Sequence, residues 1–221
     1  MSRSALLRQA FTHVPSHGFT RRALALSAPE ELSDSAVTAL FGRGEEAEKT
    51  LFQAWLDEGR QDMRGALSED AKGGEKEKLY ALLARRLRYN EPALKHLPDA
   101  FALLSSPSFA SSLPIPLTLP RFRLLPGLKH VSSVADEACW LLAPSSGSQS
   151  TTPTYYLDRT RVAAVYAAAE LHQLSAPGRS ERFLRDLLEG TGALPQVVGE
   201  MGMFAEYVGR SWAGIIRSRG M

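Results

Sequence analysis

Apolar residues recur along this chain at intervals of three and four, and that spacing predicts helices from end to end. The first spans 3–14, where Leu6, Leu7, Ala10, Phe11 and Val14 fall at helical positions and Pro15 and Gly18 stop it. Thr20 is placed to cap a short helix over 21–27. Ser33 or Asp34 caps a third over 35–41, since a side-chain oxygen there satisfies free backbone N–H groups. Gly42 and Gly44 interrupt the chain before a long helix over 45–66, with Leu51, Phe52, Trp55, Leu56 and Met63 as its inner stripe. The charged segment 68–78, with Gly73-Gly74, reads as a solvated loop or helix start. Helical pattern resumes from Lys76, with Leu79, Leu82, Leu83 and Leu87 on one side. Arg85, Arg86 and Arg88 read as a solvated or partner-facing surface rather than a phosphate site. Short helices follow over 90–97 and 98–104, punctuated by proline.

The region 107–126 carries Pro107, Pro114, Pro116, Pro120 and Pro126 among Leu, Ile and Phe. It suits neither a regular helix nor a central strand and reads as an irregular loop. Helices are predicted again over 131–142, 155–174, 180–188 and 196–217. A Ser/Thr/Pro-rich linker precedes the second of these and a Gly/Pro break the last. No alternating strand pattern and no internal repeat occurs, so the predicted fold class is all-α.

Composition narrows the function. The 221 residues are 44% hydrophobic, enough for one sizeable core, and carry a formal net charge of +2. That balance argues against a nucleic-acid coat. A single cysteine, Cys139, leaves no intrachain disulfide and no cysteine metal cluster. No apolar run reaches the length needed to span a bilayer. From Met1 to Pro29 there is no acidic residue, while Arg3, Arg8, Arg21 and Arg22 are present. This is the character of a mitochondrial presequence, and equally of a first helix with a basic solvent face.

Catalytic chemistry is nearly absent from the pattern. His13, His17, His96, His130 and His172 form no metal-ligand spacing; His13 and His17 are four apart but separated by Pro15. Glu170 and His172, two apart on one helix, point to different sides. Phosphate-loop, dinucleotide and nucleophile-elbow motifs are missing. Cys139 beside Trp140 reads as a small core residue. The chain is expected not to be an enzyme and to carry no cofactor.

Two features carry more information. The amino-terminal trio of helices, with Gly18-Phe19-Thr20, a Ser-initiated short helix and Phe41-Gly42, resembles the DNA-binding region of TetR-type regulators. The third helix, Ser33 to Phe41, lacks Lys and Arg, so the phosphate-gripping term is missing and the element reads as a helix-turn-helix remnant. The alternative is a ligand-responsive DNA regulator using Arg21, Arg22 and Arg43. The second feature is the last helix. Val197, Met201, Phe204, Val208, Trp212 and Ile215 form an apolar stripe suited to lying in a membrane interface, with a last core helix or dimer helix as the alternative.

Several blocks together point to a family: HVPSHGFT at 13–20, ALFGRG at 39–44, LRYNEPALKHLPDAFALLSSP at 87–107, DEACWLLA at 136–143, YYLDRTRVAAVYAAAEL at 155–171 and RFLRDLLEG at 182–190. In these the chain resembles the mitochondrial ubiquinone-biosynthesis accessory family, and its fungal member in particular. The resemblance implies a TetR-regulator-like helical bundle whose helices enclose an isoprenoid quinone precursor or phospholipid. It further implies a C-terminal amphipathic helix on the matrix face of the inner mitochondrial membrane, and a docking patch of Asp136, Trp140, Tyr155, Tyr156 and Arg159 for the di-iron demethoxyubiquinone hydroxylase of the ubiquinone-synthesis complex. Homodimerisation is compatible with it. The organisation expected is a helix-turn-helix-like region over 1–44, a lipid-binding and docking region over 45–190, and a linker with membrane helix over 191–221. The chain departs from the family in three places. Residues 113–130 look inserted, Tyr155 stands where tryptophan is common, and the first helix begins where a presequence usually precedes it.

Overall fold

The computed structural model describes residues 2–69, 74–105, 125–143 and 153–190, except the side chains of 68–69, 105, 125–126 and 153–157. Every regular element among them is helical. The predicted helix over 196–217 and most of the proline-rich region lie outside the described residues.

Short polar side chains set where the first helices start. Ser2 caps α1 (Arg3–Phe11) by accepting from the Ala5 amide at 3.2 Å. Pro15 opens a new turn, α2 (Val14–His17), where its missing N–H costs nothing, instead of merely ending the first helix. Gly18 ends α2 at φ +69°, and a Cβ there would stand 2.9 Å from His96 Nδ1, so glycine is required twice over. Thr20 caps α3 (Arg21–Ala25), and Ser33, the first of the two candidates, caps α4 (Asp34–Phe41). The long α5 (Glu45–Asp62) opens with Glu45, Glu46 and Glu48, whose charge suits the positive end of the helix dipole. It is shorter than its periodicity predicts. The chain tightens into a 3₁₀ turn (Met63–Gly65), then a last short helix, α6 (Ala66–Glu69). At Gly65 the Arg85 guanidinium packs so close that a Cβ would lie 2.7 Å from it.

Helix α7 (Glu75–Asn90) leads through a 3₁₀ segment (Glu91–His96) into α8 (Leu97–Ser105). Then come α9 (Leu125–Leu142), α10 (Pro153–Ser175) and, after a 3₁₀ turn, α11 (Ser180–Gly190). Helix α9 starts earlier than predicted because Pro126, in the first helical turn, needs no amide partner.

Two apolar cores result. The first gathers α1 to α5 around an aromatic stack with α8: Phe19 lies 4.7 Å from Phe52, Phe52 5.2 Å from Phe101, and Phe11 5.4 Å edge-on from Trp55. Each such pair adds about 0.5–1.5 kcal/mol beyond burial of its area. The basic amino-terminal segment contributes Leu6, Ala10, Val14 and Phe19 to this core. The second core joins α7, α9, α10 and α11 through Leu82, Leu83, Leu87, Val134, Val165, Tyr166 and Leu184. Helix α10 is alanine-rich on its buried side (Ala167, Ala168, Ala169), which lets α9 and α11 pack closely on it. The Phe101 and His130 rings, 6.0 Å apart, join the two cores.

Candidate binding and docking site

The three arginines of α7 do not form the solvated face that the sequence suggests. Arg85 donates to Asp62 through Nε at 2.9 Å and Nη2 at 3.1 Å, and Arg88 donates to Glu181 at 2.6 and 2.8 Å. Arg86 is fully buried. The reason is register: position 86 shares the inner stripe of α7 with Leu82, Leu83, Leu87 and Asn90, all buried. On α10 the same logic places Glu170 and Gln173 inside, in line with Val162, Val165, Tyr166 and Ala169.

These polar side chains converge with His130 of α9 into one buried cluster. Glu170 Oε1 accepts from the Tyr166 hydroxyl at 2.7 Å and Asn90 Nδ2 at 3.0 Å, and lies 3.2 Å from His130 Nε2. Arg86 Nη1 donates to Asn90 Oδ1 at 2.6 Å, and Gln173 Nε2 donates to the Leu87 carbonyl at 2.8 Å. Burial works to raise the Glu170 pKa. The neighbouring His130 and Arg86 and the hydrogen bonds from His130 and Tyr166 outweigh it and hold the carboxyl at about 2. The Tyr166 hydroxyl is pushed well above its ordinary range, mainly by burial, with the Glu170 carboxylate adding to the shift. Near neutral pH, therefore, Glu170 is an acceptor only and Tyr166 a donor.

The network is incomplete. Arg86 Nε and Nη2, Glu170 Oε2 and Gln173 Oε1 are buried with no hydrogen-bond partner. A buried polar group left unpaired costs roughly 1–3 kcal/mol, more when charged. Two of these side chains are left with acceptors and one with donors. Among the described residues no cluster of three or more His, Cys, Asp or Glu could hold a metal ion. Burial raises the pKa of the Cys139 thiol, as expected of a packed residue rather than a nucleophile.

Of the five residues anticipated as a docking patch, Asp136, Trp140 and Arg159 come together at one end of α9 and α10. Asp136 and Trp140 are one turn apart on α9, and Arg159 of α10 pairs with Asp136 at 2.9 Å. Trp140 is 56% exposed, with Arg64 5.8 Å from its ring. Arg64 also pairs with Glu137 at 2.8 Å. Tyr155 and Tyr156 belong to the first turn of α10, but their side chains lie outside the described residues. So do Val197, Met201, Phe204, Val208, Trp212 and Ile215 of the anticipated membrane stripe.

The amino-terminal cations are tied into the fold. Arg21 lies across α4, donating to Asp34 Oδ1 at 2.6 and 2.9 Å, to Thr38 Oγ1 at 2.7 Å and to the Gly42 carbonyl at 3.3 Å. Arg22 pairs with Glu31. Two of the three cations that a DNA-regulator reading needs are thereby occupied by intramolecular partners, and that reading is not favoured.

The anticipated patch comes from the family resemblance rather than from periodicity, and neither points to the buried cluster, whose members come from α7, α9 and α10. The signal available was polar residues in apolar stripes: Arg86 and Asn90 on α7, Glu170 and Gln173 on α10.

Fold and site together define a class: a protein whose described elements are all helical, with a charged, partly unpaired cluster inside its second core and an exposed tryptophan on α9. No family model matches the chain. It is similar to the ubiquinone biosynthesis protein COQ9, mitochondrial, of Drosophila melanogaster, with 26% identity over 208 residues. The match covers 90% of this chain and 57% of that protein, so the chain spans little more than half the length of this relative.

Proposed function

We propose that the chain is a non-catalytic accessory protein of ubiquinone biosynthesis. It takes an isoprenoid quinone intermediate from the matrix face of the inner mitochondrial membrane and presents it to the demethoxyubiquinone hydroxylase. The observation that carries this reading is the similarity to a mitochondrial ubiquinone biosynthesis protein along nearly the whole chain. The fold belongs with it as a TetR-like bundle whose amino-terminal trio has given up phosphate contacts. No cofactor takes part; the lipid is the ligand.

Sheltering a polyprenyl tail supplies about 0.8 kcal/mol per CH₂ group removed from water, an ample drive for uptake. Among the described residues no helix is long and apolar enough to cross a membrane. The apolar stripe from Val197 to Ile215 is the element to lie in the interface. The hydroxylase docks on Trp140, Asp136 and Arg159, joined by Tyr155 and Tyr156. A half-exposed tryptophan flanked by ion pairs is the kind of anchor that dominates interface energetics.

Organic extraction of natively purified protein followed by mass spectrometry tests the lipid. A prenylated quinone precursor or phospholipid is expected, and a protein free of lipid counts against the proposal. Trp140→Ala should leave thermal stability within about 0.5 kcal/mol, as for other exposed positions, yet lower hydroxylase capture at least tenfold. Unchanged capture removes the docking assignment. Deletion of residues 195–221 should abolish attachment to anionic liposomes, and retained attachment removes the membrane assignment.

A further inference from the structure

We infer that the cluster of Arg86, Glu170 and Gln173 recognises the head group of the bound lipid and selects its hydroxyl-bearing, reduced form over the quinone; this rests on the lipid-binding reading above. The four unpaired atoms are of two kinds. Arg86 Nε and Nη2 only donate, while Glu170 Oε2 and Gln173 Oε1 only accept. The Gln173 orientation is set by its amide nitrogen, which donates to the Leu87 carbonyl and so leaves the oxygen free. No direct pair joins Arg86 to Glu170 Oε2, although the guanidinium acts electrostatically on that carboxylate.

The remaining contacts hold the cluster in place. Arg86 Cζ lies 5.7 Å from the Tyr89 ring and packs against Gly59, where a Cβ would stand 3.0 Å away. Glu170 is fixed by Tyr166 of its own helix, Asn90 of α7 and His130 of α9, all on Oε1. Oε2 therefore points into the structure without a protein donor and without solvent exposure.

A hydroxyl accepts through oxygen and donates its one hydrogen, so the ring hydroxyl of a phenol or hydroquinone can serve Arg86 and one of the two acceptors. A quinone carbonyl can only accept. It serves Arg86 and leaves two buried acceptors bare. One unpaired acceptor corresponds to about tenfold in affinity.

The test uses the full chain in anaerobic buffer with three probes. They are a short-prenyl benzoquinone, the same compound reduced to its hydroquinone, and a polyprenyl hydrocarbon with no ring. Partition from detergent micelles, quantified by mass spectrometry, gives relative affinities. The hydroquinone should bind about tenfold more tightly than the quinone. In Glu170→Gln the preference should vanish or invert, because the amide nitrogen replacing Oε2 would donate to a carbonyl. Equal affinity for both ring probes, with the hydrocarbon still bound, overturns the head-group inference and leaves the lipid reading standing. A hydroquinone preference unchanged in Glu170→Gln also overturns it. Failure of all three probes to bind removes the lipid reading itself. Should the variant not fold, the comparison of ring probes on the native protein still decides.

Discussion

Replacing Glu170 with glutamine keeps the shape of the side chain and removes its charge, isolating the electrostatic role of the buried cluster. The native carboxyl titrates at about 2 against an ordinary 4.5, because His130, Arg86 and Tyr166 stabilise the anion more than burial disfavours it. A fall of that size corresponds to roughly 3 kcal/mol of folding free energy. Its sign follows from the direction of the shift. A carboxyl held low in the folded state contributes its full stabilisation above about 4.5 and loses it as pH falls from there through about 2. Relative to Glu170→Gln, which does not titrate there, wild type should thus lose about 3 kcal/mol of stability between pH 7 and pH 2. The loss should set in below about pH 4.5 and continue toward pH 2. Urea unfolding of both proteins at a series of pH values between 7 and 2.5 measures it. The comparison cancels carboxylates common to both, including Glu48, whose pKa burial raises, and Glu181, held low mainly by its bond from Arg88. A difference between the two proteins that does not change with pH would refute the claim that Glu170 is held ionised by its partners.

Other consequences are simpler. Gly18→Ala places a side chain at φ +69° and within 2.9 Å of the His96 ring, so it should destabilise by at least about 1–2 kcal/mol in thermal unfolding; a melting temperature equal to wild type would contradict the geometry. Arg21→Ala removes the side chain joining α3 to α4 and should cost about 1–3 kcal/mol in urea unfolding. Arg43→Ala, at an exposed position, should stay within about 0.5 kcal/mol. Equal effects of the two would mean that Arg21 is not holding the trio together. Finally, the raised pKa of the half-buried Cys139 thiol predicts alkylation at neutral pH that is slower than for a free cysteine and accelerates on unfolding in urea. Fast labelling of the folded protein would contradict it.

The all-helical architecture was legible in the chain because helix formation is local. Three- and four-residue spacing of Leu51, Phe52, Trp55, Leu56 and Met63, all of them buried, declares an inner face wherever the rest of the chain lies. Thr20 and Ser33 announce their helices because a cap acts on amides two or three residues away. Proline is less informative. Pro15 and Pro126 read as breakers, yet both sit in first turns, where a missing amide is harmless. Asp136 and Trp140 share a face by spacing alone, whereas the pairing of Asp136 with Arg159 across two helices needs the packed bundle.

What only the tertiary structure decided is the fate of the charges. From sequence, Arg85, Arg86 and Arg88 look alike, because an arginine's surroundings are not encoded in its neighbours. In the fold, Arg85 meets Asp62 and Arg88 meets Glu181, while Arg86 turns inward beside Asn90. Glu170 lies 40 positions from His130 and 80 from Asn90, separations at which no periodicity can signal contact. A local pattern records which face of a helix is buried; what that face meets depends on how the helices pack.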